Sequence, residues 1–151
     1  MKKFFLMGIV ILLSGIASAQ NYKESIGLRL GTSIGASYKT YLSESKALEA
    51  ILDLDIFEKD LMKINVTGLY EFVFESNIDG LNFYVGPGIS AGLYLGDANG
   101  LLLAINGVAG VEYKFEGIPL SISLDWNPKV QIITNAGFKP TNFGLTFRYN
   151  F

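Results

Sequence analysis

From about Ile26 to its end the chain alternates apolar and polar side chains, in blocks separated by turn residues. The cleanest block is the last. Phe143, Leu145, Phe147, Tyr149 and Phe151 share one face, and Asn142, Gly144, Thr146, Arg148 and Asn150 the other, because successive strand side chains point oppositely. The same period of two predicts seven further strands, over residues 26–32, 35–42, 48–57, 63–74, 81–95, 101–115 and 120–132. Clusters of turn formers separate them at 43–46, 58–60, 75–80, 96–100, 116–119 and 134–140. The weakest boundary lies at Thr32 to Gly35, where strands one and two read almost equally well as one bent strand. Pro87, inside the fifth strand, lacks a ladder donor and predicts a bulge.

Eight antiparallel strands with one greasy and one wet face suit an up-and-down barrel, and the wet face says which way it turns. It carries Arg29, Lys39, Lys114, Lys129 and Arg148 beside Glu49, Asp53, Asp55, Glu71, Glu112 and Asp125, together with many Gly, Ser and Asn residues. Nearly cancelling charges and small side chains fit a crowded lumen, whereas a solvent face gains nothing from glycine, which weakens strands. The greasy face carries Tyr70, Phe72, Phe74, Phe83, Tyr113, Phe115, Trp126, Tyr149 and Phe151 near the expected strand ends, as an interfacial girdle would. The expectation is an all-β, eight-stranded antiparallel transmembrane barrel with a filled interior, its apolar face toward lipid. A soluble lipid-binding barrel would alternate too, but with its apolar face inside.

The N-terminus supports export. Met1-Lys2-Lys3 is positive, Phe4 to Leu13 is apolar but for Gly8, and Ala17-Ser18-Ala19 precedes Gln20. That is the layout of a cleavable signal peptide, and the apolar run is too short to span a bilayer as a helix. The expected division is a signal peptide over 1–19 and a barrel domain over 20–151. No cysteine follows the cleavage site to carry a lipid, and an exported chain without cysteine has no disulfide framework. Without Lys2 and Lys3, ten basic face fourteen acidic residues, a net charge of −4. There is no basic stripe for nucleic acid.

The absence of His and Cys removes the side chains that His-dependent membrane-barrel hydrolases, acyl transferases and proteases use as acid or base. It also removes the usual zinc ligands, and the reading is of a non-enzyme without cofactor. Asp53 and Asp55 share a face and invite a divalent cation. Set among five cations, the eleven wet-face charges read instead as an internal ion-pair network, since any one of them buried alone is costly. Gly86-Pro-Gly88 through Gly92 lacks the spacing and the following helix of a phosphate loop.

Several segments carry a resemblance. Gly110 to Pro128, Leu69-Tyr-Glu71, Asn82-Phe-Tyr84 and Arg148-Tyr-Asn-Phe151 resemble small outer-membrane β-barrel proteins of uncharacterised role, distantly similar to the OmpA/OmpX-type eight-stranded barrels. The likeness spans nearly all of the mature chain and implies location and fold, not an activity. It also implies that Phe147, Tyr149 and the terminal Phe151 form the signal read by the barrel assembly machinery. The expected function is a structural or interaction role in the Gram-negative cell envelope, as a monomer in contact with outer-membrane lipid. A narrow, porin-like channel or transporter of small or hydrophobic molecules is the alternative.

Overall fold

A computed structural model describes residues 24–55, 62–95, 100–133 and 137–151. The expected signal peptide, the start at Gln20, the end of the third predicted strand and all or part of the turns at 58–60, 96–100 and 134–140 lie outside the described residues. Ten strands form: β1 (Glu24–Gly31), β2 (Ile34–Ser43), β3 (Lys46–Asp55), β4 (Met62–Glu75), β5 (Leu81–Leu95), β6 (Gly100–Lys114), β7 (Leu120–Trp126), β8 (Lys129–Ile133), β9 (Gly137–Lys139) and β10 (Phe143–Asn150). Every pairing is antiparallel, and β1 pairs with β10 from Ser25↔Asn150 to Gly31↔Gly144, which closes the ring.

The ten segments make eight staves. Ala109↔Trp126 on β7 and Asn106↔Lys129 on β8 keep one register against β6, and Gly107 N donates to the Pro128 carbonyl at 2.9 Å between them. Pro128 therefore interrupts the ladder by its missing N–H without turning the chain. β9 and β10 pair with β8 and β7 along the same stave, but the register shifts by one residue across Pro140, from Lys129↔Lys139 to Trp126↔Phe143. The boundary at Thr32 and Ser33 is a true turn: β1 and β2 pair from Glu24↔Thr40 to Leu30↔Ile34. The result is a closed eight-stranded antiparallel barrel, with no helix among the described residues.

Pro87 departs from expectation. Leu69↔Gly88 and Phe72↔Val85 share one register, so pairing lapses for two positions on each strand and no residue is inserted. The close approach of the backbones explains this: a Cβ on Gly86 would overlap the Tyr70 carbonyl. The ladder lapses beside Pro87, which has no N–H to donate, without a bulge. Register shifts occur instead at Tyr41/Ser43 and Leu103/Ala104.

The faces are turned as the charge pattern predicts. Leu28, Leu52, Val66, Ile89 and Leu124 stand on the outer wall, with Ile89 71% exposed, whereas Lys39, Glu71, Thr146 and Arg148 are at most 1% exposed. The lumen is not wholly polar. Ala47, Ile51, Leu69, Val73 and Val108 also point inward and pack with Tyr84, on the face the sequence had given to polar residues. Outward aromatics crowd the end where β1 begins and β10 finishes, with edge contacts Tyr70–Phe72 and Tyr113–Phe115 and a stack of Tyr149 on Phe151. Toward the opposite end, Trp126 stacks on Phe143 with ring centroids 6.5 Å apart.

Candidate functional site

Alternation aims every second residue of each stave at the axis, and charged ones meet there in two groups joined through Tyr84. In the first, Arg148 of β10 reaches across the lumen to Glu49 of β3 and donates to Glu112 Oε2 at 2.8 Å. Ser37 donates to Glu49, and Tyr41 Oη donates to Glu112 Oε1 at 2.6 Å. Lys39 Nζ completes this group, 2.7 Å from Glu71 Oε2 and 3.8 Å from Glu112 Oε2. The Lys39–Glu71 approach is not aligned as a hydrogen bond, so charge holds it, helped by the Tyr84 ring 4.4 Å from Nζ. In the second group Arg29 Nη1 meets both oxygens of Asp125 at 2.7 and 2.8 Å, with Tyr84 Oη donating to Asp125 at 3.2 Å.

Gly144 makes room for the second group. A Cβ there would collide with the Arg29 guanidinium, so the glycine provides the floor on which Arg29 lies. Beyond it a neutral chain crosses the lumen: Thr67 and Ser90 hydroxyls lie 2.7 Å apart, Ser90 donates to Asn106, and Asn106 donates to Asn127 at 2.9 Å. Each of these four side chains thus has a partner in the wall.

Of the eleven charged residues expected in one network, Arg29, Lys39, Glu49, Glu71, Glu112, Asp125 and Arg148 form ion pairs with each other. Asp55 pairs instead with Lys63 at 3.9 Å, a residue the sequence reading missed. Its place on the same face as Asn65, Thr67 and Glu71 was the available signal. Lys114 stands over the Tyr41 ring at 4.0 Å, and Asp53 accepts from Asn65 Nδ2 at 3.3 Å. Lys63 thus joins the inward charges, and Lys139, opposite Lys129, lines the same end of the lumen. No cluster suited to a metal ion occurs among the described residues.

Two hollows remain. A polar cavity of about 160 Å³ opens at the end where β8 meets β9, with Asp53, Asp55, Lys63, Asn65, Lys129 and Lys139 among its walls. A recess of about 720 Å³ marks the outer wall, where Ala50 and Gly68 leave a gap between Leu48, Tyr70 and Ile89. Apolar atoms make up nearly all of its surface. No family model matches the chain, and no curated protein matches it either.

Proposed function

We propose that the chain is a small monomeric β-barrel of the Gram-negative outer membrane, with a structural or interaction role in the envelope and no through-going pore. One observation carries this reading: charged residues are buried on the axis while large apolar side chains cover the outside. A soluble lipid-binding barrel requires the reverse, an apolar inside and a polar outside. Water would not tolerate so continuous an apolar wall, whereas hydrocarbon favours it.

Closure of the sheet satisfies the backbone polar groups that lipid cannot. Eight strands enclose just enough space for side chains, and the pairs Arg148–Glu49, Arg148–Glu112 and Arg29–Asp125 cross that space. Such cross-braces oppose solute passage and resist flattening of the cylinder. The outward stack of Tyr149 and Phe151, with Phe147 half exposed on the same face, leaves the terminal strand's aromatic side available to an assembly factor in the way the sequence resemblance implies.

The test is fractionation followed by conductance. The protein is expected to stay with alkali-washed outer membranes and to give no steady current steps in planar bilayers. Release into the wash would defeat the membrane assignment, and stable steps would replace a closed barrel with a channel.

A further inference from the structure

Glu49, Glu71 and Glu112 meet at the centre of the lumen, and among the described residues the cations within ion-pair distance of them are Arg148 and Lys39. Three acids thus share two direct partners. Lys114 acts on Glu112 from beyond ion-pair distance, its ammonium resting on the Tyr41 ring.

The shortfall falls between Glu49 and Glu71. On the β3–β4 ladder Glu49 stands opposite Leu69 and Glu71 opposite Ala47, so the two acids are diagonal neighbours on one inward face, a spacing that long side chains bridge. Their carboxyl groups come within hydrogen-bond reach of each other. Glu49 Oε1 accepts from Ser37 and Arg148, whereas Glu49 Oε2 and both oxygens of Glu71 accept no hydrogen bond, with Lys39 Nζ close to Glu71 Oε2 but misaligned. Neither acid can turn to water, since Glu71 is 0% and Glu49 3% exposed. The phenol donors nearby are spent, Tyr41 on Glu112 and Tyr84 on Asp125. Two carboxylates pressed together out of water repel, and a proton held by one of them relieves the repulsion and supplies the missing donor.

We propose that the centre of the lumen is a binding site for a single proton, carried by Glu71 and donated to Glu49. The acid and carboxylate then hold one negative charge between them, and with Glu112 they balance Lys39 and Arg148. Glu71 is the donor because Glu49 already receives Arg148 and Ser37. The carbonyl oxygen of the acid still faces the Lys39 ammonium, and the couple's shared charge still attracts it. The proton is a structural ligand, taken from solvent as the barrel folds, that ties β3 to β4 where the lumen's own side chains offer no donor.

The test uses the whole chain in an ester-free detergent at neutral pH and does not depend on where the barrel resides in the cell. Infrared difference spectra of the parent against Glu71→Gln are expected to show the C=O stretch of a protonated carboxylic acid in the parent. That band should shift after refolding in D2O and be absent from the variant. Glu71→Gln also places an amide N–H where the acid's O–H stood, so its urea midpoint is expected at or above the parent's. Glu49→Gln removes the charge that Arg148 faces, and its midpoint is expected to fall. A purely ionic role for Glu71 predicts the opposite, no acid band in the parent and a Glu71→Gln midpoint lowered as far as that of Glu49→Gln. Either result overturns the proposal, and so does a Glu71→Gln chain that fails to fold.

Discussion

Arg148, on the strand that ends the chain, donates to Glu49, three staves away around the wall, and neither residue is reached by solvent. Their backbones never pair. The contact exists only because the ring closes through β1 and β10, and it ties opposite sides of the lumen together. Removing Arg148 takes a cation from two carboxylates at once, Glu49 and Glu112. Arg148→Met should therefore destabilise the folded barrel by about 3–5 kcal/mol, the range for breaking a buried pair from one side. The double variant with Glu49→Gln should recover part of that loss. Urea unfolding in detergent measures both, and a single variant as stable as the parent would contradict the cross-brace.

Tyr41 offers a gentler probe of the same group. Its hydroxyl donates to Glu112 at 2.6 Å, a bond to a charged acceptor that contributes about 1.5–3 kcal/mol. Tyr41→Phe should lose an amount near the lower end, since Arg148 still serves Glu112. Tyr149→Phe, on the outer wall, should change stability by less than about 0.5 kcal/mol. Equal effects at the two positions would place Tyr41 outside the lumen.

Two glycines of similar setting should respond oppositely. Gly86 stands against the Tyr70 carbonyl with no space for a Cβ, whereas a Cβ on Gly68 meets nothing within 4 Å. Gly68→Ala should hold or raise stability, by up to about 1 kcal/mol, because alanine loses less backbone freedom on folding. Gly86→Ala should force β4 and β5 apart and shift the urea midpoint downward. The comparison is internal to one protein and one assay. A Gly86→Ala barrel unfolding at the parent's midpoint would contradict the close approach of these strands.

The single tryptophan reports on the outer wall. Trp126 is 41% exposed, stacks on Phe143 and donates its indole N–H to the Pro140 carbonyl at 2.6 Å. In vesicles its fluorescence should be quenched strongly by lipids with brominated acyl chains and weakly by acrylamide in the water. The reverse ranking would mean that this wall faces water, and the lipid-facing orientation would fail with it.

Alternation was legible along the chain because it is local. Each peptide sets the next side chain on the opposite face, so the staves, their two faces and the inward aim of Arg29, Lys39, Glu71 or Arg148 follow from residue parity alone. The same parity places Ile51, Leu69 and Val73 inside, and a reading by polarity passed over them. It also places Lys63 inside, where it pairs with Asp55.

Which inward residues meet was a different matter. Glu49 and Arg148 are 99 residues apart, and their heights in the lumen depend on how far each strand is staggered against its neighbour around the closed ring. No local pattern encodes that stagger. Neither does it reveal that Pro87 sits in the ladder without a bulge, or that Lys129 and Lys139 stand face to face. The sequence by itself determined a two-faced sheet and the sign of each face, through the sterics of one residue and the next. Only the tertiary structure decided the partners, because closure brings together side chains that chain order keeps far apart.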